Sequence, residues 1–159
     1  MTDSPLDVGA TAPDFTLKDQ NGVDVTLSAF RGSKNVLLVF YPCAFSGICT
    51  GELHQIRDDL GSFVDDDVQV LAISCDPIFA LRGWADLEGY FFPLLSDFWP
   101  HGEVARAYGV FHESGGMATR GTFLVDTEGV IRWTLVNPPG ENRDFDDYRS
   151  ALAELRRAA

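Results

Sequence analysis

Asn35-Val-Leu-Leu-Val-Phe40-Tyr41-Pro42-Cys43-Ala-Phe-Ser46-Gly-Ile-Cys49-Thr-Gly-Glu52-Leu53 changes its periodicity part-way along. Asn35 to Phe40 is an unbroken β-branched and aliphatic run, the pattern of a strand covered on both faces. Pro42 stops it, because proline brings no backbone N–H to a ladder. Beyond the loop, Leu53, Ile56, Arg57 and Leu60 recur at spacings of three and four, which predicts a helix from Ser46 to Leu60. A buried strand that runs straight into an amphipathic helix is the first half of a parallel β-α-β unit.

The rest of the chain extends this unit. Val68 to Ser74 reads as a second buried strand, and Pro77 as the first residue of a helix through Leu87. His101 to Tyr108 reads as a short helix. Upstream, Phe15–Leu17 and Val23–Leu27 flank Gln20-Asn21-Gly22, a hairpin signal. Downstream, Thr122–Val125 and Val130–Val136 form a second hairpin around Thr127-Glu128-Gly129. Asp144 to Arg157 closes the chain as an amphipathic helix with basic residues in its last turn, where they favour the dipole. Parallel crossovers early and an antiparallel hairpin late predict an α/β fold with a mixed sheet and helices on both faces.

The 159 residues suit one domain, 1–159, and a chain of this size buries roughly 70% of its unfolded surface without a disulfide or metal. Twenty-four acidic against twelve basic residues give a net charge of −12, which repels phosphate backbones and anionic lipid. Nucleic acid and membrane surfaces are therefore not expected partners. The start, Met1-Thr2-Asp3-Ser4-Pro5, has no basic segment followed by an apolar run, and Val36–Phe40 is far too short to span a bilayer. Cys43, Cys49 and Cys75 are an odd number without a framework of small loops, which suits a reducing cytoplasm.

Chemistry concentrates at the strand-to-helix junction. Cys49 falls in the first turn of the predicted helix, where unpaired N–H groups and the positive end of the dipole converge. A thiolate is the nucleophilic form of cysteine, and a helix start with a nearby cation favours it. Ser46, three residues earlier, can turn its hydroxyl toward the sulfur or an incoming substrate, and can also serve as N-cap. Pro42 offers no donor and can shield the sulfur from water. A thiolate that breaks a polar bond needs a cation to meet the charge on the leaving atom. Arg120, just before the Gly121–Val125 strand, is the candidate, with a permanent charge and a fixed fork of donors.

Pro42-x-x-x-Ser46-x-x-Cys49 resembles the active-site pattern of the peroxiredoxins: proline, threonine or serine, then the peroxidatic cysteine. Arg120 in Arg-Gly-Thr-Phe-Leu-Val-Asp126 is similar to the family's active-site arginine. Glu52 corresponds to the glutamate that helps orient it, although acidic residues also favour a helix's first turn. Arg143, after Pro138-Pro139-Gly140, resembles a second family arginine near the site, with plain solvation as its bland alternative. Further matches run from Val8-Gly-Ala-x-Ala-Pro-Asp-Phe15 through Phe92-Pro-Leu-Leu-Ser-Asp97 and Ala107-Tyr-Gly-Val110. Among subfamilies the chain looks most like the one-cysteine alkyl hydroperoxide reductase E type, through Ala44-Phe45-Ser-Gly-Ile-Cys-x-Gly-Glu-Leu53 and Ser96-Asp-Phe-Trp-Pro-His-Gly102.

The resemblance implies a thioredoxin-like fold with an N-terminal β-hairpin extension. It also implies peroxidase chemistry on hydrogen peroxide, organic and lipid hydroperoxides and peroxynitrite. The reductant it implies is a low-molecular-weight thiol of the mycothiol kind with a glutaredoxin-like mycoredoxin, or a thioredoxin. A homodimer or assembly of dimers is implied, and no metal, haem or flavin. Cys43 could resolve a Cys49 sulfenic acid or be a small buried hydrophobe, and Cys75, at a strand end, reads as structural with the resolving role as its alternative. No cysteine follows Cys75, so the sequence lacks the C-terminal resolving thiol of familiar two-cysteine members. Three rival functions differ in kind. Zinc on Cys43, Cys49 and His54 lacks standard spacing and a fourth ligand. A disulfide oxidoreductase would need Cys-x-x-Cys. A non-catalytic binding protein has no reason to keep proline, hydroxyl, cysteine and arginine together. Trp84, Trp99 and Phe91-Phe92 are expected in the core or at an interface.

Overall fold

The computed structural model describes residues 4–59, 63, 65 and 67–158. Met1 to Asp3, the helix end expected at Leu60, and the terminal Ala159 lie outside them. The chain runs β1 (Thr16–Lys18), β2 (Asp24–Thr26), a 3-10 turn (Leu27–Phe30), β3 (Asn35–Phe40), α1 (Gly47–Asp58), β4 (Val68–Ser74) and α2 (Ile78–Glu88). It continues with β5 (Leu94–Ser96), α3 (Glu103–Ala107), β6 (Phe111–His112), β7 (Met117–Ala118), β8 (Arg120–Val125), β9 (Ile131–Asn137) and α4 (Asp146–Ala158).

Seven strands form one mixed sheet in the order β2-β1-β5-β4-β3-β8-β9. β3, β4 and β5 are parallel, and β8 lies antiparallel to β3 with β9 antiparallel to β8. Strand alternation then divides the core. Leu37, Val39, Tyr41, Val70 and Ala72 pack on one side with Leu53 and Ile56 of α1, Leu81 and Trp84 of α2, and Tyr148 and Leu152 of α4. Val36, Leu38, Phe40, Leu71 and Ile73 pack on the other with Val104 and Ala105 of α3 and the N-terminal segment. Both faces are covered, which is why β3 and β4 read as continuous apolar runs. The arrangement is thioredoxin-like, with the β1–β2 hairpin as the extension.

Several boundaries differ from the sequence reading. Pro77 is the N-cap of α2 in extended geometry rather than its first residue, and Gly89, at φ 72°, ends that helix. β5 was not anticipated: three residues behind Pro93 are too few to show a period. Its place is secured from far along the chain, by Gln20 Nε2 donating to Phe92 O at 3.1 Å and Leu94 N–H donating to Gln20 Oε1 at 2.8 Å. Helix α3 is shorter than His101–Tyr108, and its N–H groups at Val104 and Ala105 donate to the buried Asp97 carboxylate. Among the described residues, no helix is long and apolar enough to cross a membrane.

Candidate active site

β3 ends at Phe40, and buried Tyr41 and Pro42 lead into the loop before α1. Ala44 N–H donates to Asp76 Oδ2 at 2.8 Å, tying the loop to the chain beyond β4. Phe45 stands at φ 69°, a left-handed conformation that costs a non-glycine residue about 1–2 kcal/mol, and its ring lies 6.1 Å from that of Trp84. Ser46 is the N-cap of α1 in extended geometry, but its hydroxyl makes no capping bond. The Ser46 Oγ is buried and, among the described residues, meets only the Cys43 thiol and no partner of normal hydrogen-bond geometry, so it stays available to a guest. Cys49 is the third residue of α1 and fully buried.

Arg120 opens β8 beside β3, and Gly121 after it is a close approach: a Cβ there would lie 2.7 Å from Val110 Cγ1. Arg120 Nη1 donates to Cys49 Sγ at 3.3 Å and to Glu52 Oε1 at 2.5 Å, while Arg120 Nε donates to Pro139 O at 2.8 Å. Among the described residues, Arg120 Nη2 has no hydrogen-bond partner. Arg143 is buried too, so plain solvation is excluded. Its Nε and backbone N–H donate to Glu52 Oε2 at 2.8 and 3.0 Å, its Nη1 to Thr122 Oγ1 at 2.8 Å, and its Nη2 to Phe40 O at 2.6 Å. Burial lowers the Arg143 pKa, against the opposing pull of Glu52. Glu52 is itself fully buried and lies beyond the first turn of α1, so its place is explained by the two arginines rather than the helix dipole. Two guanidinium groups face one carboxylate, and an ionised Cys49 sulfur would bring this buried cluster to neutrality.

The structure thus brings Cys49 and Glu52 of α1 together with Arg120 of β8 and Arg143 of the segment beyond β9. Cys43 is half-buried on the neighbouring loop and in no disulfide, with its thiol pushed up by burial and by the Cys49 and Asp76 charges. Cys75, just beyond β4, is buried and in no disulfide, its thiol pushed up to about 12 by burial and by Asp97 and Asp76. His54, considered as a zinc ligand, is bonded through Nε2 to Glu88 Oε2 at 2.7 Å. Trp84 and Phe92 are core residues, whereas Trp99 and Phe91 are exposed. The sequence reading missed Thr122 and the carbonyls of Phe40 and Pro139. Thr122 sat in a quoted strand, but a backbone carbonyl leaves no mark in a sequence.

The profile of the AhpC/TSA family matches residues 8–134. This chain belongs to the AhpC/TSA family. Alkyl hydroperoxide reductase E of Mycobacterium tuberculosis, and likewise that of Mycobacterium bovis, is 59% identical over 150 residues, spanning 94% of this chain and 98% of the relative. Among solved structures, peroxidoxin BcpB from Mycobacterium tuberculosis superposes with a TM-score of 0.80 at 32% identity, covering 96% of this chain and 97% of that one. The reduced 2-Cys peroxiredoxin of Plasmodium vivax superposes with a TM-score of 0.85 at 26% identity, covering 96% of this chain and 83% of that one. The AhpC/TSA member described here is an enzyme, a thiol-dependent peroxidase of the peroxiredoxin kind.

Proposed function

We propose that Cys49 is the peroxidatic nucleophile of a one-cysteine cycle. The observation that carries this reading is the 3.3 Å contact between Arg120 Nη1 and Cys49 Sγ, held by a buried carboxylate. The Cys49 thiolate attacks the terminal oxygen of a hydroperoxide, forming the S–O bond as the O–O bond breaks. Cys49 becomes a sulfenic acid, and the departing alkoxide or hydroxide takes a proton from water. Arg120, through Nη2, and the Ser46 hydroxyl meet the charge that develops on the leaving oxygen. Pro42 helps shield the sulfur, and Glu52 and Arg143 hold Arg120. An external thiol then condenses with the sulfenic acid, releasing water and leaving a mixed disulfide, which a second thiol reduces back to Cys49.

The substrates proposed are hydrogen peroxide, organic and lipid hydroperoxides and peroxynitrite. The proposed reductant is a low-molecular-weight thiol with a glutaredoxin-like protein such as a mycoredoxin, or a thioredoxin. The named activity of the 59% identical relatives supports the hydroperoxide class. We place the enzyme in the cytoplasm, as one domain over 1–159, working as a homodimer or an assembly of dimers.

A second reading keeps the same first step but resolves it internally through Cys43. The place of Cys43, half-buried on the loop that leads into α1, favours it. Cys75, buried against Asp97 and Asp76, is the weaker partner. Cys49→Ser is expected to abolish peroxide reduction, and Arg120→Ala to slow it by roughly 10²–10³-fold, the usual cost of one charge-stabilising donor. Full activity in the serine variant refutes the assignment. Unchanged turnover of Cys43→Ser with an external thiol supports the one-cysteine route.

A further inference from the structure

Apart from the reacting sulfur, Arg120 is held from two sides, by one side chain and one backbone carbonyl. Glu52 takes Nη1, while the other anchor is the carbonyl of Pro139, 2.8 Å from Nε. This carbonyl belongs to a short turn that leaves β9 directly opposite Arg120, because Arg120 and Asn137 are cross-strand partners. Pro138 and Pro139 cannot donate to a ladder, so pairing stops there and the chain folds back with φ restricted at two consecutive residues. Glu141 N–H closes the turn onto Pro138 O at 3.0 Å, and Asn137 Nδ2 latches it onto Asn142 O at 3.1 Å. Arg143 follows at once, and its backbone N–H reaches Glu52 Oε2.

We infer that this turn is the positioning element of the peroxidase site, with Asn137 as the latch that holds the Pro139 carbonyl against Arg120. The inference rests on the reading of Arg120 as the cation of the reaction. A guanidinium is planar, so anchors at Nε and Nη1 together fix its plane and aim the partnerless Nη2. With the Nε anchor gone, the group pivots about Nη1, whose bonds to Glu52 and Cys49 are all that remain. Placement errors near 1 Å at a reacting centre cost roughly 10²-fold in rate. The Asn137 amide bonds to Asn142 O rather than to Cys49 or Arg120, and that bond is exposed, so its loss leaves the core intact.

Asn137→Ala removes the latch donor, and Pro139→Gly loosens the turn independently. Each variant is reduced and tested in three ways: the rate with hydrogen peroxide, the rate of Cys49 alkylation by iodoacetamide at its high-pH plateau, and thermal stability. Alkylation needs the thiolate but no aligned O–O bond, so a merely structural role would not separate the two rates. The expected result is peroxide reduction slowed about tenfold or more, with plateau alkylation within about twofold of the parent and little change in Tm. Peroxide rates within about twofold of the parent in both variants, or equal falls in both reactions, overturn the inference. Arg120→Ala, measured beside them, separates the two levels of the argument. If it is slow while the turn variants are fast, the latch alone is refuted; if it is as fast as the parent, the role of Arg120 fails as well.

Discussion

Replacing Glu52 by glutamine tests the buried charge cluster. The carboxylate accepts from Arg120 Nη1 and from Arg143 N, Nε and Nη2, and all three side chains are buried. Glutamine keeps the volume and one carbonyl oxygen but turns an NH2 toward cations and removes the carboxylate that both guanidinium groups share. Breaking a buried pair by removing one partner costs about 3–5 kcal/mol, because the other charge stays desolvated. In a domain of this size that is a fall in Tm of roughly 6–20 °C, or a shift of the urea midpoint by about 2 M. The assay is equilibrium unfolding of the reduced protein at neutral pH, with Arg143→Met and the double variant completing a cycle. The double variant is expected to lose less than the sum of the singles by more than about 1 kcal/mol, since one surplus cation is removed. A Glu52→Gln loss below about 1 kcal/mol would refute the claim that Glu52 is the counterion.

Other consequences are more local. Burial pushes Asp97 up to about 6 from its ordinary 3.8, so the native state binds a proton more tightly than the unfolded chain. Its contribution to stability is therefore fully present below pH 3.8 and is lost as pH rises through about 6. Measured against Asp97→Asn, stability should fall by about 2–4 kcal/mol between pH 4 and pH 7; a flat difference contradicts the buried carboxylate. With its thiol pushed up to about 12, Cys75 should stay unlabelled by iodoacetamide at pH 8 in the folded protein. Peptide mapping that finds Cys75 labelled as fast in the folded protein as in the unfolded chain would contradict its burial.

The parts of the fold that were legible in the sequence are those where local pattern and burial agree. β3 and β4 begin and end where their apolar runs do, since both faces are covered. Cys49 was placed correctly at a helix start, because Pro42 ends the strand and the helical spacing resumes from Leu53. The order of the sheet was out of reach: β1 reaches β5 through the single pair Lys18–Ser96 and the Gln20 amide, which no periodicity encodes. The same holds within the site. The pattern suggested Arg120 and Glu52, but Arg143 approaches Glu52 from 91 residues away, and its burial depends on tertiary packing. Ser46 shows the opposite case: the sequence preference for an N-cap was met in backbone geometry, while the hydroxyl was left unbonded.

The central claim is that Cys49 takes the peroxide oxygen and that no second thiol of this chain is needed to resolve it. Reduced protein treated with one equivalent of hydrogen peroxide, then trapped with dimedone and mapped by mass spectrometry, tests it directly. The account predicts one dimedone adduct, confined to Cys49, with Cys43 and Cys75 still free thiols. Loss of two hydrogens with a Cys49–Cys43 linkage would transfer the chemistry to a two-cysteine cycle, and unmodified protein beside unconsumed peroxide would contradict the account outright.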